Sequence, residues 1–176
     1  MGRSRGAPGA PEIGRLATRA LSELCDVLAR HSSAADRCYF AVWEGVGLGG
    51  PSGAVIAVRS GAGPKPPAAR PAPAEWQLDL SGPRFPLPGR DEYYLFEGEL
   101  HDAARIGYWS SEESFDAISP HFFWPADHAW CVATEVDYDS TVIGGTQLLI
   151  DGLCASAQVE VLQMAPDAPA QDLLNL

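Results

Sequence analysis

The side chains best suited to chemistry in this 176-residue chain lie in one stretch of its second half. Between residues 121 and 139 this stretch holds two imidazoles and four carboxylates, namely His121, Asp127, His128, Glu135, Asp137 and Asp139. Such groups bind divalent cations, and they also serve as general acids and bases. One hypothesis is therefore a divalent-metal-dependent enzyme that uses the carboxylate and histidine cluster of residues 121–139.

The spacing of these groups gives the enzyme hypothesis little support. The sequence contains no HExxH or EF-hand pattern, and Ser140 and Thr141 do not belong to a nucleophile elbow. Carboxylates that alternate along one face of a strand are roughly 6.6–7 Å apart, too far to chelate a small ion unaided. We therefore assign no catalytic residue, no metal site and no cofactor from the sequence.

The same stretch can instead form a binding surface. Alternation from Trp130 to Tyr138 predicts a strand that buries one face and turns Glu135, Asp137 and Asp139 outwards as a row of acids. Like charges in such a row repel each other, so water, a cation or a basic partner must offset them. The sequence leaves open the alternative that this face is simply solvated and has no function.

An aromatic loop is predicted before this strand, at residues 121–128. A tight loop cannot readily bury Phe122, Phe123 and Trp124 together, so we expect one or two rings exposed beside the acids, unless all three pack onto the core. We favour a non-enzymatic binding protein that presents this acidic, aromatic-edged surface to a basic protein, as an inhibitor or immunity protein would. The predicted binding residues are Trp124, Asp127, His128, Glu135, Asp137, Asp139, Ser140 and Thr141.

The distribution of charge supports a basic partner. Residues 1–90 carry eleven Lys and Arg against seven Asp and Glu, whereas residues 91–176 carry one Arg against sixteen acids. The second half therefore has a net charge of −15 within a total of −11. Nucleic-acid binding needs a basic surface, so we expect none by this half, and a basic protein or a cation suits it better.

A glycine-rich segment follows the first predicted strand and needs separate consideration. Gly45, Gly47 and Gly50 satisfy the GxGxxG pattern, which binds a dinucleotide when a helix follows it. Here Pro51 intervenes and residues 54–59 (AVIAVR) read as a strand, with no acidic residue at the position expected for ribose binding. We interpret the segment as a hairpin connection.

The remaining patterns predict an α+β domain with a mainly antiparallel sheet and helices packed on one side. The last strand–helix–strand could add one parallel unit, which would make the sheet mixed. The predicted helices are residues 11–31, 103–108, 110–118 and 147–154, the last capped by Thr146, and the other predicted strands are 38–44, 75–80, 90–97 and 159–164.

Composition predicts a single domain over residues 11–166. We expect a disordered arm at 1–10, a flexible Pro/Ala-rich loop at 60–74 and a mobile tail at 167–176. Four Cys without metal spacing, no apolar run of membrane length and no hydrophobic stretch behind the first basic residues lead us to expect a cytoplasmic protein. The sequence does not define the oligomeric state.

Four segments of the chain resemble a set of uncharacterised single-domain proteins of GC-rich filamentous bacteria. The segments are LCDVLARH, DRCYFAVWEG, LPGRDEYYLFEGEL and FWPADHAWCVATEVDYDSTVIGGT. The resemblance implies a bacterial single-domain protein. It transfers no activity, cofactor or site residue to this chain.

Overall fold

An antiparallel sheet forms the centre of the protein, for which a computed structural model describes residues 13–48, 73, 76–87, 92–156 and 159–168. The strands are β1 (Cys38–Trp43), β2 (Arg84–Phe85), β3 (Tyr93–Gly98), β4 (Gly107–Ser111), β5 (Ser114–Ala117), β6 (Phe122–Pro125), β7 (Trp130–Thr134) and β8 (Thr141–Gly145). Six of them lie in the order β2-β3-β1-β6-β7-β8, and β4 and β5 form a separate hairpin. Every strand pair in the described part is antiparallel, which confirms the predicted α+β fold with a mainly antiparallel sheet.

Two helices pack on the sheet. They are α1 (Thr18–Leu28) and α2 (Gln147–Cys154), and 3₁₀ turns occur at Ala29–His31, Glu44–Val46 and Leu100–Arg105. The hydroxyl of Thr146 accepts a hydrogen bond from the backbone N–H of Leu149 at 3.3 Å, so α2 begins at its predicted cap.

One face of the sheet supplies the core. The strand registers place Phe40, Phe123 and Val132 side by side on β1, β6 and β7, and each is at most 1% exposed. Buried residues of both helices, among them Leu24 and Leu149, belong to the same core cluster. Removing one such side chain from water stabilises the fold by about 1.5–3 kcal/mol, so burial of this face is the main force that holds helices to sheet.

The opposite face of the sheet, which we call the cleft face, is less evenly covered. Ala41 on β1 is fully buried, but Trp124 on β6 is only half-buried, and Cys131 on β7 and Val142 on β8 are exposed. The registers pair Cys131 with Gly144 and place Val142 opposite Ala133, so this apolar surface continues to the end of the sheet. The β7–β8 half of the cleft face is therefore available for contact.

The first helix is shorter than predicted. It begins at Thr18 rather than Pro11, because Gly14 adopts a φ of +76° and its N–H donates to the carbonyl of Tyr138 at 2.7 Å. The residues before α1 thus run beside the loop after β7, and Ile13, predicted to lie on the apolar helical stripe, is 70% exposed.

The two short helices predicted after residue 102 are wrong. Leu100–Arg105 is a 3₁₀ turn capped by Glu99, and residues 107–117 form the β4–β5 hairpin. Trp109 and Phe115 lie opposite each other in this hairpin with ring centroids 5.3 Å apart. Cross-strand aromatic pairs stabilise a hairpin, and here this pairing outweighs the capping-box pattern that predicted a helix.

Three further predictions of local structure are wrong. Residues 122–125 of the predicted aromatic loop form strand β6, since they pair with β1 on one side and β7 on the other, and residues 126–128 form the turn that follows. Residues 159–164 form no strand, and neither do residues 76–80. The parallel unit that the last predicted strand would have completed is therefore not formed.

Several predictions lie outside the described residues. These are the arm at 1–10, most of the glycine-rich segment, the strand at 54–59, nearly all of the Pro/Ala-rich loop and most of the tail. Of the glycine-rich segment, Gly47 is described and adopts a φ of +84° after the 3₁₀ turn Glu44–Val46.

Candidate binding cleft and acidic loop

A cleft of about 560 Å³ opens on the cleft face. Phe122, Trp124, Cys131 and Gly144 contribute to it from the last three strands. Other lining residues are Phe85 and Leu87 after β2, His128 and Ala129 in the β6–β7 turn, and Trp130 and Gly145. Its volume lies within the range of small-ligand and anchor pockets, and its lining is apolar apart from one imidazole and one thiol.

Aromatic rings build this cleft. Trp124 lies with its ring centroid 5.4 Å from that of Phe85 and 6.0 Å from that of Tyr39. Phe122 is held edge-on against buried Tyr93 at 5.5 Å. These tilted and edge-on contacts stabilise the rings in fixed positions, so the cleft is pre-formed rather than dependent on a ligand.

The turn at one end of the cleft is anchored by Asp127. Its carboxylate accepts hydrogen bonds from the backbone N–H and hydroxyl of Ser33, from the hydroxyl of Ser32 and from the backbone N–H of Ala129, at 2.8–3.1 Å. Burial alone would raise the pKa of Asp127, but these donors lower it to about 2. Asp127 is therefore fully engaged in positioning the turn.

His128 follows in the same turn with a left-handed backbone. Its φ is +55°, its N–H donates to the carbonyl of Pro125 at 2.9 Å, and its exposed side chain lines the cleft. A non-glycine residue in this conformation carries strain of about 1–3 kcal/mol, which persists because the Asp127 hydrogen bonds fix the surrounding backbone. The turn thereby directs an imidazole towards the cleft.

The predicted strand Trp130–Tyr138 is four residues too long. It ends at Thr134, where the hydroxyls of Thr134 and Thr141 hydrogen-bond each other at 2.9 Å across the β7–β8 pair. The predicted buried face is confirmed within β7, since Trp130, Val132 and Thr134 are at most 3% exposed, but its last two members, Val136 and Tyr138, lie in the following loop and are half-buried. Residues 135–140, which we call the acidic loop, connect the two strands instead of forming a row along one of them.

Local hydrogen bonds shape the acidic loop. The Glu135 carboxylate accepts from the N–H of Val136 at 2.9 Å, and the Glu135 carbonyl accepts from the N–H of Tyr138 at 3.1 Å. The bond between Gly14 and Tyr138 ties the loop to the segment before α1. Asp137 and Asp139 are exposed, and neither forms an ion pair with any residue that the structure describes.

His121 lies beneath the acidic-loop end of the sheet and is not a surface ligand. It is 2% exposed, and its Nδ1 accepts a hydrogen bond from the backbone N–H of Trp43 at 3.2 Å. Burial lowers the pKa of His121 to about 4, with Arg15 lowering it further and Glu135 opposing the shift. The imidazole is therefore neutral at pH 7, with its proton on Nε2.

The structure separates the predicted site residues into two groups. Asp127 and His128 lie before β7 and the acidic loop lies after it, a distance of about 15–20 Å along the strand. Within the described residues, no three His, Cys, Asp or Glu side chains come together as a metal ion would require. The predicted members of the acidic-loop group are Glu135, Asp137, Asp139, Ser140 and Thr141, whereas Trp124 lies in the cleft between the groups.

Cys131 is exposed as a residue, but its sulfur is partly covered and lacks the surroundings of a nucleophile. Its Sγ lies 3.8 Å from the carbonyl oxygen of Val132, and burial of the sulfur raises the pKa of the thiol. A catalytic thiol needs a lowered pKa from a cation or a helix N-terminus. Cys131 acts here as a small apolar part of the cleft floor.

Sequence reasoning missed several residues of the cleft, chiefly Phe85, Leu87, Cys131 and Gly144. Phe85 and Leu87 lie in a proline-rich segment that carries no strand signal, and they reach the cleft only through the pairing of β2 with β3. Gly144 was visible as part of a glycine pair, but the pair gave no indication of the strand that contains it.

Comparison with known proteins gave no match, either to a family model, to a curated protein sequence or to a solved structure. The resemblance to proteins of GC-rich filamentous bacteria therefore stays a prediction. In the described part of the chain, no helix has the length and hydropathy needed to cross a membrane.

Proposed function

We propose that this protein is a non-enzymatic binding protein that presents the acidic loop and the adjoining cleft to a basic protein partner. The observation that carries the proposal is the pair of exposed carboxylates, Asp137 and Asp139, which have no ion-pair partner among the described residues. Two like charges on one short loop repel each other, and a cationic partner would offset that repulsion.

The other charged residues of the second half of the chain also favour a basic partner. Residues 91–176 contain a single cation, Arg105, and its guanidinium already contacts Asp102 at 3.2 Å. An approaching basic protein would therefore meet a mainly negative field from these residues, to which Arg15 near His121 adds one positive charge. Such a field accelerates association and selects against acidic partners.

The cleft supplies an apolar, aromatic contact surface, which charged side chains alone do not provide. Phe122 and Ala133 pair across β6 and β7 one residue before the Thr134–Thr141 pair, so the cleft face begins beside the acidic loop. Binding interfaces combine a desolvated aromatic centre with charged residues at the rim, and this surface has that arrangement. The inhibitor or immunity-like role expected from the sequence is one form of this function.

The proposal can be tested with a displayed library of random peptides selected on the full chain. We expect enrichment of peptides that combine Lys or Arg with apolar residues, and synthetic copies should bind in a salt-dependent manner. The variant Asp137→Asn/Asp139→Asn should weaken binding by about tenfold.

A matched control separates local recognition from net charge. Glu113→Gln/Asp116→Asn removes the same two charges from exposed positions of the β4–β5 hairpin. This variant should retain binding within about twofold. Enrichment without basic residues, or equal losses in both double variants, would refute the proposed surface.

A further inference from the structure

The two edges of the sheet differ in how they are protected. Edge strands expose unpaired backbone groups, and proteins usually shield them with short length, proline or charge. Strand β2 has all three, since it is two residues long, lies between Pro83 and Pro86, and places the Arg84 guanidinium 3.8 Å from the Tyr94 ring centroid.

Strand β8 has none of these protections. It is five residues long, its sequence TVIGG contains no charge and no proline, and no strand of the described chain pairs with its outer edge. Val142 is 44% exposed on this edge. An exposed edge strand of ordinary length that carries no charge and no proline can act as a template for a further strand.

Gly144 of β8 leaves room for close approach of a second backbone, whereas Gly145 is packed against Leu149. A Cβ added to Gly144 would meet no atom within 4 Å, and Gly144 lines the cleft. A strand laid along this edge would direct alternate side chains to the cleft face, beside Val142 and Gly144. Its other side chains would face the layer that contains α2.

From these observations we infer that β8 binds an extended segment of the basic partner as a seventh strand, with apolar side chains directed to the cleft face and a Lys or Arg beside the acidic loop. The inference rests on the proposed function and specifies its binding mode. The acidic loop leads directly into β8, so Asp137 and Asp139 lie at one end of the added strand. Backbone hydrogen bonds would supply affinity, and charge and cleft would set the sequence preference.

Charge also disfavours a second copy of this chain as the occupant. Each copy carries a net charge of −11, and its second half carries −15. Pairing β8 with β8 of another copy would bring two strongly negative halves together. A basic segment removes this repulsion and adds favourable contacts with the acidic loop.

The test uses a basic peptide selected on the full chain and a series of copies, each with one backbone amide methylated. Strand addition predicts a two-residue period, in which methylation of an N–H that faces β8 weakens binding by about tenfold and methylation of its neighbour has little effect. A peptide held only by its side chains would lose affinity without that period, which would overturn the inference and leave the proposed function intact.

A second measurement examines the unbound protein. The outward amides of β8 should exchange rapidly with solvent in the free chain and become protected when the peptide binds. Protection in the free protein, or a dimer that dissociates when the peptide is added, would show that the edge is already occupied and would refute the inference. If no basic peptide binds at all, the proposed function itself fails.

Discussion

The two ends of strand β7 carry the same kind of side chain in opposite circumstances. Before the strand, Asp127 accepts hydrogen bonds from two serines and a backbone amide, and its pKa falls to about 2. After the strand, Asp137 and Asp139 are exposed without an ion-pair partner in the described chain. A carboxylate whose acceptors are all used within the fold positions it, whereas a carboxylate left exposed beside a like charge is available to a partner.

The two ends of β7 should also lose stability at different pH values. The largest effect that we predict comes from the buried His121 near the acidic-loop end. The folded pKa of His121 is about 4, below its unfolded value of about 6.5. As the pH falls, the unfolded chain therefore takes up a proton at His121 before the folded chain does. The stability that is present above pH 6.5 is lost as the pH falls towards 4, by up to about 3 kcal/mol.

Urea denaturation between pH 7 and pH 4 measures this loss. His121→Gln should flatten the dependence, because glutamine does not titrate. Protonation of Nδ1 also breaks its bond with Trp43, so the acidic-loop end should loosen first. A wild-type stability that is constant from pH 7 to pH 4 would contradict this description of His121.

The attachment of the acidic loop to the segment before α1 predicts the next effect. Gly14 has a φ of +76°, and an added Cβ would meet the Val136 carbonyl oxygen at 2.6 Å. Gly14→Ala should therefore destabilise the protein by about 2 kcal/mol. Gly47→Ala is the matched control, because Gly47 has a φ of +84° but a Cβ added to it would meet no atom within 4 Å. This substitution should destabilise the protein by only about 1 kcal/mol. Equal losses would mean that the segment does not hold the loop.

Asp127→Asn should lower the melting temperature by less than Gly14→Ala, because asparagine keeps one of the two acceptor oxygens. The pKa of Asp127 is about 2 when folded and about 3.9 when unfolded, so its contribution is complete above pH 4 and is lost as the pH falls through 2. The variant should lack this part of the acid dependence. Thermal melts at pH 2–5 compare the two proteins, and identical profiles would show that Asp127 does not anchor the turn.

The smallest effect on stability belongs to the acidic loop itself. Asp137→Asn/Asp139→Asn removes a repulsion and no ion pair within the described chain, so the free energy of unfolding should stay constant or rise by about 0.5 kcal/mol. A loss of more than about 2 kcal/mol would identify the loop as a structural network. Urea denaturation of the wild-type protein and the double variant, with and without added calcium or magnesium, shows whether the loop is a repulsive surface or a structural network.

Sequence patterns predicted the parts of this molecule that depend on local signals. The strand at Cys38, the α2 helix with its Thr146 cap and the buried face of β7 were all readable from periodicity and capping chemistry. These features need only the residues that form them. The α+β class followed from the order in which the predicted helices and strands occur along the chain.

The wrong predictions concern features that distant residues determine. Strand β7 ends at Thr134, its last residue paired with β8, and the chain then turns at residues 135–138, although the alternating pattern continues to Tyr138. The β6 aromatics read as a loop until β1 and β7 are placed on either side. The β4–β5 hairpin replaces a helix through the Trp109–Phe115 contact. The cleft depends on Phe85, which reaches Trp124 only through the sheet.

The most direct test of the account follows the backbone amide signals of the isotopically labelled full chain by NMR while a selected basic peptide is added. We predict that the largest shifts will occur in the acidic loop, in β8 and at Cys131 of the cleft floor, with α1 and the β4–β5 hairpin nearly unchanged. At an equal peptide concentration near the wild-type Kd, the shifts should be several-fold smaller in Asp137→Asn/Asp139→Asn, as about tenfold weaker binding requires, and should persist in Glu113→Gln/Asp116→Asn. Shifts centred on α1 or the β4–β5 hairpin, with β8 unaffected, would contradict the account.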